Sequence, residues 1–247
     1  MSSRENGKHP MSNELIFIIQ TVIGLSMVLF AFRMGKNWLY ALIAINYVLA
    51  NIFVTKTITL FGFEATGGNV LYGAIFLSTD ILSEYYGREA ARKGVFIGLG
   101  ATLFYLVMSQ FMISYTASPN DWGASAGMDT IFSFAPGIVL ASVIAYLVSQ
   151  LHDVWAFHFW KKKFEGKLLW VRNNLSTASS QLIDSITFAI LAFAVFPRLL
   201  SDPSSVLPMS VVWEIVLTTY ILKLIVGFID TPFIYMSMKF TPKHELK

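Results

Sequence analysis

Seven long apolar segments, separated by short polar connections, run through this chain of 247 residues. They lie at about residues 15–33, 38–60, 69–86, 94–116, 134–159, 173–197 and 211–238. A helix needs about 20 apolar residues to cross the hydrocarbon core of a bilayer, and in lipid it satisfies its own backbone amides. The strands of a membrane barrel would instead alternate apolar and polar residues. The segments therefore predict an all-α integral membrane protein, a bundle of six to seven transmembrane helices.

The overall composition excludes several classes of protein. Charged residues make up only 13% of the chain and hydrophobic residues 55%, whereas soluble domains carry about 25% charged residues. The net charge is only +3, and the basic residues cluster in short connections, so we expect no nucleic-acid partner. The chain has no cysteine, and its histidines lack the spacing of metal ligands. We therefore expect no metal site and no cofactor.

The N-terminal segment resembles a signal peptide in length but lacks a cleavage site. Its uncharged run is followed by Arg33 and Lys36 rather than by small residues, which favours a retained membrane helix. The polar residues before it predict a mobile tail. We divide the chain into an N-terminal tail (1–13), an extra leading transmembrane helix (14–37), a transporter-like helical core (38–240) and a cytoplasmic tail (241–247).

The distribution of lysine and arginine predicts the orientation of the bundle. Alternate connections carry 13 basic residues on one side and 4 on the other. Because basic residues are enriched on the cytoplasmic side of a membrane, we expect the C-terminus in the cytoplasm. With seven spans, the N-terminus then lies outside.

Polar side chains inside the apolar segments are the candidates for function, because such residues are costly in lipid and turn toward the bundle interior. Asp80 and Glu84 in the third segment are four residues apart, which predicts one helix face. Two buried carboxylates that close require a proton, a cation or a donor-rich ligand between them. The alternative is that Glu84 lies at the membrane boundary and pairs with Arg88.

Segments five and six both contain the sequence Ser-Gln-Leu-x-Asp. It places Gln150 three residues before Asp153, and Gln181 three residues before Asp184. A carboxylate and a primary amide together suit a heterocycle with an amide-like edge, because the first accepts N–H groups and the second both donates and accepts. Helix packing is the alternative interpretation. The repeated motif also indicates an internal repeat, which transporters often contain.

Three further polar residues complete the candidate set. Asn51 lies near the end of the second segment, Asn174 in the polar start of the sixth, and Lys223 in the middle of the last. Lys223 needs an anion, for which Asp80, Asp153 and Asp184 are candidates. The predicted substrate-binding residues are Asn51, Asp80, Glu84, Gln150, Asp153, Asn174, Gln181, Asp184 and Lys223.

Residues 76–87 read Phe-Leu-Ser-Thr-Asp-Ile-Leu-Ser-Glu-Tyr-Tyr-Gly. Together with the Ala-Asn-Ile-Phe-Val-Thr-Lys sequence around Asn51, the two Ser-Gln motifs and Lys223, this stretch resembles the queuosine precursor transporters, the vitamin uptake transporter family. The resemblance covers about residues 45–238. It implies import of a deazapurine, 7-cyano- or 7-aminomethyl-7-deazaguanine, across the bacterial cytoplasmic (inner) membrane for tRNA modification.

The chemistry of such a base fits the candidate residues. Its ring N–H and exocyclic amine form a pair that a carboxylate accepts, its ring carbonyl needs a donor such as an amide, and its flat face suits an aromatic ring. The assignment of each aspartate stays open at this point.

Family members often have six helices, so the leading helix here is a departure. The family is related to the substrate-binding subunits of energy-coupling-factor systems, but this chain has no Walker loop. Three mechanisms therefore stay open: a secondary transporter with alternating access, in which Asp80 or Glu84 carries a coupling proton; a binding subunit that depends on a partner ATPase; and an intramembrane enzyme. We favour the first and do not expect an enzyme, because no Ser–His pair or metal set has a usable spacing. A homodimer stays an open alternative.

Overall fold

The computed structural model describes residues 11–133, 136–200 and 206–240. Those residues form α1 (Asn13–Met34), α2 (Lys36–Phe53), β1 (Thr57–Leu60), β2 (Phe63–Thr66), α3 (Asn69–Ile81), α4 (Arg88–Ser114), α5 (Ala124–Phe132), α6 (Pro136–Lys163), α7 (Leu169–Ile190), α8 (Phe196–Leu200) and α9 (Met209–Ser237). A π-helical stretch extends α3 over Leu82–Tyr86 and α7 over Leu191–Val195.

The predicted helical membrane bundle is confirmed. Five of the described helices, namely α1, α4, α6, α7 and α9, are long and apolar enough to cross a membrane. The shorter helices α2 and α3, of 18 and 13 residues, complete the bundle. The predicted tails largely lie outside the described residues, which leave out 1–10 and 241–247.

The outer surface of the bundle is apolar. Large side chains such as Phe104, Phe111, Trp155 and Phe228 remain exposed on it. In water, an apolar surface of this extent would promote aggregation. In a bilayer the same surface contacts lipid chains, so the exposed side chains agree with a multi-pass membrane protein.

The predicted second segment is wrong at its C-terminal end. We expected an apolar helix to residue 60, but α2 ends at Phe53 and the chain then forms an antiparallel hairpin of β1 and β2. The β-branched sequence Thr-Ile-Thr-Leu favours a strand. Phe61 and Gly62 both have positive φ angles, 52° and 82°, as a two-residue hairpin turn requires.

The hairpin is held against the start of α1. The backbone N–H of Phe61 donates to a carboxylate oxygen of Glu14 at 3.2 Å, and the side-chain amide of Asn13 donates to the carbonyl of Thr59 at 3.1 Å. Leu60 is buried in a cluster with Phe17 and residues of α9. Helix α1 also packs against α2, α3 and α9, so the leading helix is integrated into the bundle.

Candidate functional site

Helices α3, α6, α7 and α9 enclose a polar interior. Arg172, Asp80, Asp153, Asp230, Asp184 and Lys223 all lie inside it with at most 7% of their surface exposed. Buried charges are rare unless they are paired or functional. The charged residues of this interior form three groups.

The first group is an ion pair between α7 and α9. The ammonium group of Lys223 contacts Oδ2 of Asp184, and Oδ1 of Asp184 accepts a hydrogen bond from the Ser149 hydroxyl at 3.0 Å. The ammonium group also lies 4.9 Å from the centroid of the Tyr72 ring. Asp184 is therefore the anion that Lys223 requires, among the three that the sequence left open.

Asp184 and Lys223 line a cavity of about 780 Å³. Sites for small molecules span about 300–1,000 Å³. The cavity walls carry the aromatic rings of Tyr72, Tyr146, Phe188 and Phe193. Hydroxyl and carboxylate groups add polar contacts, from Ser142, Glu214, Thr218 and Thr219. The cavity thus combines a charged pair, flat apolar faces and a few hydrogen-bonding groups.

The cavity extends to the end of the bundle where the hairpin lies. Its lining includes Thr57 and Gly62 of the hairpin, and Val211 in the first turn of α9. With a rise of about 1.5 Å per residue, Lys223 lies about 20 Å along α9 from its first residue. The ion pair therefore lies about half-way along α9, within the bundle.

Asn51 lies in a smaller recess beside this cavity. The recess shares Tyr72, Ser142 and Tyr146 with the main cavity. The amide nitrogen of Asn51 donates to the carbonyl of Tyr47 at 2.8 Å, so this donor is already engaged. Of the residues predicted from sequence, Asp184 and Lys223 line the main cavity and Asn51 the adjoining recess.

The two Ser-Gln motifs contact each other across α6 and α7. Ser149 of the first motif donates to Asp184 of the second, and Ser180 of the second donates to Asp153 of the first at 2.9 Å. The serine of each motif thus holds the aspartate of the other. Gln150 and Gln181 are buried and lie outside the described cavity linings, and their Oε1 atoms have no hydrogen-bond partner among the described residues.

The second group contains Asp80, Asp153 and Asp230, each fully buried. Asp80 interacts with the carboxyl groups of Asp153 and Asp230. Oδ1 of Asp230 accepts a hydrogen bond from the amide of Asn173 at 2.9 Å. Asp230 is not among the residues that the sequence predicted to bind substrate.

The third group, which we call the inner ion cluster, consists of Glu84, Lys161 and Arg172. Arg172 forms a bidentate pair with the Glu84 carboxylate at 2.7 and 3.3 Å, and Lys161 contacts the same carboxylate at 2.9 Å. Among the described residues the Glu84 carboxylate pairs with Arg172 and Lys161, and the alternative pair with Arg88 is not formed. Asp80 and Glu84 therefore belong to different groups despite their spacing.

Arg172 is the residue of this cluster that the sequence did not identify as a candidate for function. Its basic side chain follows a lysine-rich stretch of the sequence, yet it is 1% exposed in the first turn of α7. The polar residues directly after it were the available signal. Asn174, one of those residues, donates to the Thr231 hydroxyl at 2.8 Å and so joins α7 to α9 rather than lining the cavity.

Comparison with known proteins gives a consistent result. The model of the family described as "Putative vitamin uptake transporter" matches residues 66–237. The probable queuosine precursor transporter of Bacillus subtilis (strain 168) is 35% identical over 237 residues, which cover 95% of this chain and 99% of that protein. The queuosine precursor transporter of Escherichia coli (strain K12) is 24% identical over 63% of this chain and 67% of its own length. No solved structure shows a significant match.

Proposed function

Since this chain belongs to the vitamin uptake transporter family, we propose that it is a membrane importer of queuosine precursors. The proposed substrates are 7-cyano- and 7-aminomethyl-7-deazaguanine, which serve tRNA modification. The names of its relatives support this substrate class, and the Bacillus subtilis relative aligns with almost the whole chain. The chain is a transporter rather than an enzyme.

The observation that carries the proposal is the Asp184–Lys223 pair in a cavity walled by aromatic rings. The Asp184 carboxylate has lone pairs beyond those used by Ser149 and Lys223, and it can accept the adjacent N–H and amine groups of a deazaguanine. Lys223 can donate to the ring carbonyl. The rings of Tyr72 and Phe188 offer faces for the flat base.

The arrangement of charges supports a direction of transport. The inner ion cluster lies at the end of the bundle where the basic connections lie, and the cavity extends to the opposite end. With the basic end in the cytoplasm of a bacterium, the cavity faces outward and the C-terminus lies inside. Release of substrate to the cytoplasm then requires the inner ion cluster to open, as alternating access demands.

We further propose that the chain acts as a secondary transporter without a partner ATPase. The substrate cavity and the closure at its inner end are both formed by this one chain. Uptake into liposomes that contain only the purified protein tests this point. A requirement for an added ATPase would contradict it, and the mass of the protein in nanodiscs would decide whether it forms a homodimer.

The decisive test of the substrate uses bacteria that neither make queuosine precursors nor carry their own importer. Cells expressing this chain receive each deazaguanine at limiting concentration, and queuosine is measured in their tRNA. We expect the wild type to restore queuosine and Asp184→Asn to lose it. Glu165→Gln is the matched control, because that carboxylate is exposed in a connection outside the bundle interior. If the wild-type protein is present in the membrane but does not restore queuosine, the proposed substrate is wrong.

A further inference from the structure

The buried charges of this protein are not balanced. Asp184 has Lys223 as its partner, and Glu84 has both Arg172 and Lys161. Within the described residues, no lysine or arginine lies within ion-pair distance of Asp80, Asp153 or Asp230. All three of these carboxyl groups are 0% exposed.

The three carboxyl groups come from different helices and lie in the same buried interior, where they repel one another electrostatically. Asp80 on α3 interacts with Asp153 on α6 and Asp230 on α9. Ser180 donates to one oxygen of Asp153, and Asn173 to one oxygen of Asp230. The second oxygens of Asp153 and Asp230, and both oxygens of Asp80, receive no hydrogen bond from any described donor.

Three ionised carboxylates in this setting would be very unfavourable. Burial penalises the charged form of each group, and neighbouring like charges add to the penalty. Asp80 and Asp153 interact electrostatically, and a proton on one of the two carboxyl groups removes both the repulsion between them and the cost of burying one of the charges. A metal ion is a poor alternative, because no group of three or more acidic or histidine side chains among the described residues is placed to hold one.

We propose that the Asp80–Asp153 carboxyl pair is a proton-binding site that couples import to the proton gradient, separate from the substrate site at Asp184 and Lys223. This inference rests on the proposed import function. The pair takes up one proton while the cavity faces outward, and releases it when the inner end opens. The bound proton converts one carboxylate to a carboxylic acid, and no bond other than O–H forms or breaks.

The two Ser-Gln motifs connect the proton site to the substrate site. Ser149 of α6 holds the substrate-site Asp184, and Ser180 of α7 holds Asp153 of the proton site. A shift of α6 against α7 that breaks one of these hydrogen bonds therefore strains the other. Occupation of one site changes the free energy of the other through this pair of contacts.

Other polar groups around the pair influence its proton affinity. Glu84, four residues after Asp80, contributes a negative charge that is offset by Arg172 of α7 and Lys161 of α6. His152 of α6 contacts the Ser180 hydroxyl at 3.3 Å. Asp230 of α9 and Asn173 of α7 complete the surroundings. Opening of the inner ion cluster exposes the Asp80–Asp153 pair to the cytoplasm. The bound proton can then leave on that side.

The first test measures protonation without substrate. Infrared difference spectra of purified protein in nanodiscs, recorded between acidic and alkaline pH, should contain the carbonyl band of a buried carboxylic acid. We expect Asp80→Asn and Asp153→Asn each to remove or shift this band, and Glu165→Gln to leave it unchanged. Absence of the band from the wild type would overturn the proposal even if the variants failed to fold.

The second test separates coupling from transport. Liposomes containing the protein are assayed for exchange of 7-cyano-7-deazaguanine without a gradient, and for its accumulation with an alkaline interior. One pH unit supports about tenfold accumulation for one proton per substrate. We expect Asp80→Asn to retain exchange and to lose this accumulation. Accumulation that persists in the variant, or that follows a sodium gradient instead, would overturn the coupling site.

The two tests fail in different ways. If the wild type exchanges none of the deazaguanine, the proposed function is wrong, whereas the infrared band reports the proton site independently of any substrate. If exchange occurs but no gradient drives accumulation, the import function stands and the coupling proposal is overturned.

Discussion

Lys223 of α9 and Asp184 of α7 form a buried ion pair across 39 residues of sequence, inside a cavity of about 780 Å³. A buried ion pair adds little net stability compared with apolar residues of similar volume, because both charges lose their hydration. Its position in the wall of a cavity is therefore better explained by recognition of a ligand than by folding.

Substitutions in the Asp184–Lys223 pair should affect thermal stability and transport differently. Lys223→Met and Asp184→Asn each leave one buried charge without a partner, at a cost of about 3–5 kcal/mol. We expect both single variants to melt at lower temperature and to lose uptake. The double variant should recover much of the thermal stability but no uptake. Melting of the purified proteins and uptake in cells measure the two effects, and uptake by the double variant would contradict a role in binding.

Opening of the inner ion cluster can be followed because the chain has no native cysteine. A cysteine at Ser83, which is 1% exposed beside Glu84, should react slowly with an impermeant maleimide added from the cytoplasmic side. Arg172→Ala should accelerate labelling, by about tenfold for each 1.4 kcal/mol of closure lost.

The matched control for this labelling is Glu89→Gln. It removes the exposed pair of Glu89 with Arg92, whose atoms lie 3.4 Å apart, and exposed pairs contribute little. Labelling should therefore stay at the wild-type rate. If the cysteine is labelled at the same rate with and without Arg172→Ala, the inner ion cluster does not close the inner end of the bundle.

Close packing of α4 against α2 depends on Gly98. A Cβ atom at this position would lie 2.4 Å from a ring carbon of Tyr47 and 2.7 Å from the Tyr146 hydroxyl. Gly98→Ala should therefore destabilise the protein by about 1–3 kcal/mol, as overpacking does. Gly100→Ala should be neutral or stabilising, because nothing lies within 4 Å of its Cβ and alanine favours a helix. Equal melting temperatures of the two variants would disprove this prediction.

The aromatic walls of the cavity should contribute to affinity. Phe188→Ala removes one face available to a flat base, and a loss of about 1 kcal/mol corresponds to about a fivefold higher apparent KM. Phe111→Ala provides the comparison, since that ring is 62% exposed on the outer surface of α4. An unchanged KM for Phe188→Ala in liposome uptake would place the base elsewhere in the cavity.

Some local features were predictable and others were not. The apolar segments identified the membrane helices, because length and hydrophobicity decide whether a helix can span lipid. The same criterion missed the hairpin of β1 and β2, since a short apolar run is compatible with either a strand or a helix. The i,i+4 spacing of Asp80 and Glu84 predicted a shared site, but the Glu84 carboxylate pairs with Lys161 of α6 and Arg172 of α7.

The bundle of membrane helices and the polar residues within it could be predicted from the order of the amino acids, because backbone hydrogen bonding and hydrophobicity act over consecutive residues. The partners of those polar residues follow from the packing of the helices. Asp80, Asp153 and Asp184 were equivalent candidates for Lys223, and Arg172 joins Glu84 across 88 positions of the chain. Such pairings depend on how helices distant in sequence pack together, and the spacing of residues along one helix does not contain that information.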